Sequence, residues 1–144
     1  MKIEIIEGCD DTAVIIKCLK VTEDVRKLES LLQSYAKKLS CTRDSITYLI
    51  DTGDVLYFES VDKCTFVYTE SDIYELSFKL YEIEEMLADS GFIRTAKSQI
   101  INTYKIISLC PDFGSRIEAT MAGGEKLIVS RQYAKLFKEK VGIK

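Results

Sequence analysis

The chain has 144 residues, of which 47% are hydrophobic and 30% are charged, and its net charge is −3 at pH 7. These values are typical of a globular protein with one compact domain, or one small domain with an appendage. No stretch of the sequence approaches the roughly 18 consecutive apolar residues of a membrane span. The chain has no histidine and its five cysteines form no Cys-x-x-Cys pair, which argues against a zinc site, a disulfide framework and any nucleophile that depends on histidine.

Residues 1–44 are predicted to form a β-hairpin followed by one helix. Residues 3–6 and 13–18 are β-prone runs, and a turn signal separates them at residues 8–11. Thr22 is a suitable helix cap, and the carboxylates of Glu23 and Asp24 favour the positive end of a helix. Apolar side chains then recur at helical spacing at Val25, Leu28, Leu32, Tyr35 and Leu39.

From Ser45 onward the pattern changes to short strands separated by turn signals. Strands are predicted at residues 46–50, 55–59, 64–69, 73–76, 99–102, 105–109, 116–121 and 126–129. A second helix is predicted from the Ser77 cap to Gly91, and a third over residues 131–140. The expected fold is mainly β (α+β), with small antiparallel sheets and short helices over residues 45–144, preceded by the hairpin and helix of residues 1–44.

The N-terminus and the missing residue types also restrict the location and the function class. The opening MKIEIIEGCDD turns acidic after a short apolar run, whereas a secretory signal peptide would carry a longer apolar core. We therefore expect a cytoplasmic protein with reduced cysteines. Without histidine, metal-ligand spacing or a glycine-rich phosphate loop, we expect neither an enzyme nor a cofactor.

Charge is distributed unevenly along the chain. Residues 1–90 hold 10 basic and 19 acidic side chains, a net of −9, whereas residues 91–144 hold 10 basic and 4 acidic ones, a net of +6. A chain of this kind can present a basic face to phosphates although it is acidic as a whole. It has no helix-turn-helix, basic-zipper or zinc-finger pattern, so loops or strands would have to read DNA.

Three blocks of sequence are specific enough to compare with a known family. The first is residues 50–60 and ends in YFES, the second is FIRTAKSQIIN at residues 92–102, and the third is LIVSRQY at residues 127–133. Taken together, in this order and at this spacing, the blocks resemble the LytTR DNA-binding domain family. The resemblance covers about two-thirds of the chain.

The resemblance implies a stand-alone LytTR transcription regulator without a phospho-receiver domain. Its loops would read the major groove of double-stranded DNA in a sequence-specific way. Repeated half-sites in the DNA are implied as well, and with them two copies of the protein, a homodimer on DNA. A cognate small membrane regulatory protein is a further partner hypothesis, although no residue of this sequence identifies it, and no small-molecule substrate is implied.

The resemblance also implies DNA contacts in three loop regions, which supply cations, hydroxyls and an amide to phosphates and base edges. The predicted residues are Lys63 and Thr65 in the first region, Arg94, Thr95, Lys97 and Ser98 in the second, and Arg131, Gln132 and Lys135 in the third. Ser130 is expected to cap the last helix. The alternative for each region is a solvated loop, strand end or helix face without a ligand.

A second function class stays open. The chain could be a protein-interaction module that retains the LytTR fold but no longer binds DNA, with its acidic N-terminal hairpin and helix as the docking surface. A steep loss of DNA affinity with added salt would favour the regulator, because neutralised phosphates release counterions. Absence of duplex binding at low salt would favour the interaction module.

Overall fold

The structure is a computed structural model that describes residues 1–143, apart from the side chains of residues 34–36. No helix in this described part of the chain is long and apolar enough to cross a membrane. The elements in chain order are α1 (Glu23–Ala36), β1 (Lys38–Arg43), β2 (Ile46–Asp51), β3 (Val55–Val61), β4 (Cys64–Thr69), β5 (Ile73–Leu76), α2 (Leu80–Met86), β6 (Phe92–Ala96), β7 (Gln99–Asn102), β8 (Ile106–Asp112), β9 (Arg116–Met121), β10 (Lys126–Val129) and α3 (Arg131–Val141).

The strands form two antiparallel sheets. The large sheet has the order β2-β1-β5-β4-β3-β7-β6, and the small sheet has the order β10-β9-β8. The mainly β fold class is confirmed, and the eight strands predicted from Ser45 onward are all present, five of them with the predicted bounds. Alternating apolar residues and turn signals are local features, which is why the sequence shows them.

Two strands were not predicted, β1 and β6. Leu39 was assigned to the helix that contains Val25, but α1 ends at Ala36 and Leu39 lies in β1, so that assignment is wrong. In β1 the buried side chains of Leu39 and Cys41 alternate with exposed ones, which is the period of a strand. The four-residue spacing from Tyr35 to Leu39 is also the spacing of one helical face, which explains the wrong assignment. The Tyr35 side chain lies outside the described residues.

β1 pairs with β2 over its whole length, and a two-residue turn joins them. The turn residues Asp44 and Ser45 have φ values of 53° and 65°, as a tight hairpin requires. The large sheet therefore includes residues on both sides of the boundary predicted between residues 44 and 45.

The predicted N-terminal hairpin is not formed. Residues 1–22 contain no strand, and none of them is buried. The β-prone runs at residues 3–6 and 13–18 therefore form no strand and pair with no other strand. The physical reason is that an isolated two-stranded hairpin buries too little apolar surface to be stable in water.

The large sheet is the middle layer of the fold, with a hydrophobic core on each face. On one face α2 packs against it, and this core contains Phe58, Ile83, Leu87, Phe92 and Ile100. On the other face the small sheet and α3 pack against it, and this core contains Leu56, Ile101, Met121, Val129 and Phe137. Neighbouring residues of β3, β6 and β7 thus point into different cores, which holds the ends of these strands in place.

The two ends of the β3–β4 hairpin carry different features. The two-residue turn of Asp62 and Lys63 closes one end, which we call the groove end. The other, called the α1 end, carries the 3₁₀ turn at Thr52–Asp54, with which α1 is in contact. The Tyr104 hydroxyl, also at this end, donates a 3.2 Å hydrogen bond to the carbonyl of Lys27 in α1. At ~3.3 Å per residue, the length of β3 separates the two ends by about 20 Å.

Candidate nucleic-acid interface

A groove of about 450 Å³ opens at the groove end of the large sheet. Its lining comes from the β3–β4 turn, the start of α2 and the β6–β7 turn, and consists of Ser60, Lys63, Thr65, Lys79, Leu80, Tyr81, Arg94, Lys97 and Ser98. The fold therefore brings the first and second predicted contact regions together in one concave surface.

Backbone geometry places Lys63 and Lys97 beside each other at this end of the sheet. Asp62 and Lys63 form a two-residue turn in which both φ values are positive, 50° and 67°, and Lys63 is exposed. The backbone N–H of Ser60 donates a 2.9 Å hydrogen bond to the carbonyl of Ser98. This bond holds the exposed β6–β7 turn, with Lys97 and Ser98, alongside the end of β3.

The Arg94 side chain stabilises the β6–β7 turn through hydrogen bonds to the turn's backbone carbonyls. Its Nε donates a 2.9 Å hydrogen bond to the carbonyl of Ala96, and its Nη2 donates to the carbonyl of Lys97. Its Nη1 lies 3.4 Å from a carboxylate oxygen of Glu84, and only 18% of the side chain is exposed. Because the guanidinium is used inside the protein, the geometry favours a positioning role for Arg94 over the direct DNA contact expected from the sequence.

Thr95 and Thr65 are also less accessible than the sequence implies. Thr95 is fully buried, and its hydroxyl accepts a 2.8 Å hydrogen bond from Nε2 of Gln99. The same Gln99 nitrogen donates to the carbonyl of Ile128, 3.2 Å away. The geometry therefore favours a structural role for Thr95 over a DNA contact, because its side chain bonds Gln99 of β7, whose amide also reaches β10. Thr65 is only 5% exposed and lies in the floor of the groove.

The third predicted region lies next to the second. The backbone N–H of Ser130 donates a 2.8 Å hydrogen bond to the carbonyl of Thr95, so α3 begins beside β6. Ser130 occupies the predicted N-cap position, but its side chain makes no capping hydrogen bond. Ala134 and Phe137 bury one face of α3, which leaves Arg131, Gln132 and Lys135 exposed on the other.

These three regions and the start of α2 carry positive charge that the protein does not neutralise. Within the part of the chain that the structure describes, Lys63, Lys79, Lys97, Arg131 and Lys135 form no ion pair. Some cations elsewhere are paired, for example Lys126 with Glu118 and Arg116 with Asp112, and others are not. Unpaired cations on exposed loops are suited to phosphate oxygens, which are acceptors with negative charge.

Lys79 and Tyr81 belong to the groove although the sequence did not single them out. The sequence places the start of α2 at Ser77, but the helix begins at Leu80 with Lys79 as its N-cap residue. Tyr81, the next residue along α2, is 63% exposed. An exposed aromatic side chain beside a cation is a signal for a binding surface, but the helical pattern alone does not show which residues of α2 face solvent.

The cysteines do not indicate a metal or redox centre. No group of three or more potential metal ligands occurs among the described residues. Cys64 lies on β4 just after the turn that carries Lys63, and its pKa is raised by partial desolvation and by Glu75. Its thiol is therefore protonated at neutral pH, which disfavours a reactive thiolate.

Comparison with protein families gives a match that spans the groove and all three regions. The family model described as LytTr DNA-binding domain matches residues 45–142. The solved structure of the LytTr DNA-binding domain of a Bacillus cereus protein superposes with a TM-score of 0.71 and 29% sequence identity. That superposition covers 74% of this chain and 97% of the other.

Curated relatives are similar over different shares of their own length. Sensory transduction protein LytT of Bacillus subtilis (strain 168) is 34% identical over 123 residues, which are 85% of this chain and 51% of the relative. LytT of Enterococcus faecalis is 31% identical over 67% of this chain and 40% of the relative. This chain therefore spans about half of these two relatives or less. An uncharacterized HTH-type transcriptional regulator of Staphylococcus aureus (strain NCTC 8325 / PS 47) is 26% identical over 99% of both chains.

Proposed function

This chain belongs to the LytTr DNA-binding domain family, and we propose that it regulates transcription by binding duplex DNA with the loops at its groove end. The observation that carries the proposal is the convergence of three loop regions that are far apart in sequence. Together with Lys79 at the start of α2, they bring five cations without ion-pair partners to one end of the protein, within the part of the chain that the structure describes.

The proposed binding mode is insertion of the β-turns into the major groove. That groove is about 12 Å wide and admits a two-stranded β-ribbon, which is the shape of the β6–β7 turn. Lys97 at the tip of this turn is placed to donate to guanine O6 and N7 or to a phosphate. Lys63 and Ser98 donate to phosphates, and Tyr81 supplies an apolar contact to sugar or to a thymine methyl group.

Helix α3 forms the second part of the proposed interface, beside the β-turns. Arg131 and Gln132 lie in its first turn, where unpaired backbone N–H groups and the helix dipole favour a phosphate. Lys135 lies one turn further along the same exposed face. Thr95 is hydrogen-bonded both to Gln99 in β7 and to the backbone of Ser130 at the start of α3. These bonds fix the position of α3 relative to the β6–β7 turn.

The proposal extends to how the protein assembles on DNA. We propose that two copies occupy repeated half-sites as a homodimer on DNA, and that the protein acts as a cytoplasmic, stand-alone regulator. The Staphylococcus aureus relative that aligns over 99% of both chains supports action without an attached receiver domain. A cognate small membrane regulatory protein stays a partner hypothesis, testable by co-purification from detergent.

A salt series of gel shifts tests the proposed function. Wild-type protein is titrated into the duplex upstream of its own coding region and into a scrambled duplex of the same composition. If four to five phosphates are neutralised, log K falls against log salt with a slope of about −4, a loss of roughly two orders of magnitude between 50 and 200 mM salt. Equally weak binding to both duplexes would contradict the proposal and favour the interaction module.

A further inference from the structure

The turn between β8 and β9 presents an aromatic side chain to solvent. The turn consists of Phe113, Gly114 and Ser115, and the Phe113 side chain is 87% exposed, compared with 63% for Tyr81 in the groove. A phenylalanine ring in this position contributes to neither hydrophobic core. Single exposed apolar side chains are common on protein surfaces, and this one is distinguished by its place in the fold.

The register of the small sheet places the β8–β9 turn beside the start of α3. Ile117 of β9 is opposite Val129, the last residue of β10. Because the two strands are antiparallel, the chain before Ile117, which is the turn, and the chain after Val129, which is Ser130 and α3, leave the sheet at the same end. α3 is in contact with the turn. The turn is therefore a neighbour of the third predicted region, which begins at Arg131, although no predicted contact residue lies in it.

Internal contacts fix the shape of this turn. Nε of Arg116 donates a 2.9 Å hydrogen bond to the carbonyl of Phe113 and lies 3.5 Å from a carboxylate oxygen of Asp112. Gly114 and Ser115 both have positive φ values, 74° and 66°, which reverse the chain over three residues. Because the turn is formed without a ligand, little conformational entropy is lost when its ring meets one. The ion pair also offsets the charge of Asp112, which would otherwise repel a phosphate nearby.

The chemistry of the turn suits the edge of a base better than a phosphate. The Phe113 ring has no hydrogen-bond donor, and the guanidinium of Arg116 is engaged within the turn. The exposed Arg131 and Lys135 on α3 supply positive charge beside it. In the major groove of DNA the apolar group that a base presents is the C5 methyl of thymine, and phenylalanine is one of the side chains that contact it.

We propose that Phe113 is a further DNA contact, which reads a thymine methyl group in the major groove beside the phosphate contacts of α3. This inference rests on the proposed function and extends it to a fourth loop and to a base preference. Phe113 confers a preference for thymine, whereas Arg131 and Lys135 add affinity for phosphates, which carry no sequence information.

The first test compares Phe113→Ala with wild type in binding to the preferred duplex, measured by fluorescence anisotropy at several salt concentrations. We expect the affinity to fall about tenfold, because the ring no longer buries apolar area against the DNA. The slope of log K against log salt should stay unchanged, since no phosphate contact is lost. Lys135→Ala, which removes a cation, should instead make the slope shallower by about 1.

The matched control is Leu49→Ala, which also truncates an exposed apolar side chain. Leu49 lies on β2, at the edge of the large sheet opposite to β6, which α3 contacts. We expect this variant to bind DNA like wild type. Circular dichroism and thermal melting check that both variants keep the fold. Phe113→Ala should keep it, because the ring is exposed and alanine retains the carbonyl that accepts from Arg116.

The second test removes the methyl groups from the DNA instead. Every thymine of the preferred duplex is replaced by deoxyuridine, which pairs with adenine in the same way but lacks the C5 methyl. We expect wild type and Leu49→Ala to lose about fourfold in affinity for each contacted methyl group, and Phe113→Ala to lose less. No loss for wild type, or the same loss for wild type and Phe113→Ala, would overturn the thymine contact.

The outcomes separate this inference from the proposed function. If wild type binds the duplex with a steep salt dependence and Phe113→Ala binds equally well, the Phe113 contact is overturned and the proposed function stands. If wild type binds no duplex at any salt concentration, the proposed function fails and the Phe113 contact fails with it.

Discussion

The backbone N–H of Ser130 donates a 2.8 Å hydrogen bond to the carbonyl oxygen of Thr95, which joins the start of α3 to β6. The Thr95 side chain is in turn hydrogen-bonded to Gln99, whose amide also reaches the carbonyl of Ile128. These bonds connect the large sheet, the small sheet and α3 at one buried position. The loops of the candidate interface are therefore connected through these hydrogen bonds, and a substitution that breaks one of the bonds should affect several loops together.

Removing the Ser130 N–H should destabilise the protein more than removing the Ser130 hydroxyl. Ser130 has φ of −67°, which proline accepts, and it follows a β-strand, so Ser130→Pro deletes the donor without backbone strain. We expect a loss of about 1–3 kcal/mol in the free energy of unfolding, because the buried Thr95 carbonyl loses its partner. Ser130→Ala should change it by less than about 0.5 kcal/mol, since the hydroxyl makes no capping bond. Urea unfolding measures both, and equal losses would show that the side chain matters instead.

Lys97→Ala should weaken DNA binding without affecting the fold. The side chain is exposed and forms no ion pair among the described residues, so its removal costs no internal contact. If Lys97 donates to guanine, the loss is about 1–3 kcal/mol, or roughly 5- to 150-fold in affinity, and is largest for the preferred duplex. Fluorescence anisotropy gives the affinity. Lys38→Ala, on a strand far from the groove, is the control, and an equal loss in both variants would argue against the placement of the interface.

Arg94→Lys should act through the turn that presents Lys97. Lysine keeps the charge but lacks the planar fork that donates to the Ala96 and Lys97 carbonyls, so we expect a lower melting temperature together with weaker DNA binding. In a double-mutant cycle the two losses in DNA affinity, for Arg94→Lys and Lys97→Ala, should sum to more than the loss of the double variant. Strict additivity would indicate that Arg94 contacts DNA independently.

Thiol reactivity should separate Cys41 from the other cysteines. Burial raises the pKa of Cys41 to about 11, so at pH 8 almost none of it is thiolate, whereas the other four cysteines are exposed. We expect four thiols to react with a disulfide reagent in the native protein and five in denaturant, with Cys64 slower than Cys9 and Cys18 because its pKa is also raised. Fast reaction of all five thiols in the native protein would contradict the buried position of Cys41.

Alkaline pH should reduce stability through Tyr68. Burial, and then the 3.0 Å hydrogen bond that its hydroxyl donates to Glu59, raises the pKa of Tyr68 to about 12. An unfolded tyrosine has a pKa of about 10, so the folded chain retains a proton that the unfolded chain has lost. This contribution to stability is complete below pH 10 and disappears as pH rises toward 12. Urea unfolding at pH 9 and pH 11 should show the drop, and Tyr68→Phe should show a smaller one.

The sequence by itself was sufficient for most of the strands and for the family. β4, β5, β7, β9 and β10 have the predicted bounds because β-prone runs and the turn residues that bound them act within a few residues of one another. Two strands, β1 and β6, were not predicted from the sequence, for different reasons. β1 continues the apparent helical spacing of α1, and β6 has only two adjacent apolar residues at its start, Phe92 and Ile93, directly after the predicted end of the second helix at Gly91.

Only the tertiary structure decided which residues of the candidate interface are free to bind. The sequence names the three loop regions, but burial and hydrogen bonding depend on contacts between segments that are distant in the chain. These contacts bury Thr95, engage Arg94 in the turn and add Lys79 and Tyr81 to the groove. For the same reason the N-terminal runs, although β-prone in sequence, form no strand: local propensity produces a strand only where another strand is present to pair with it.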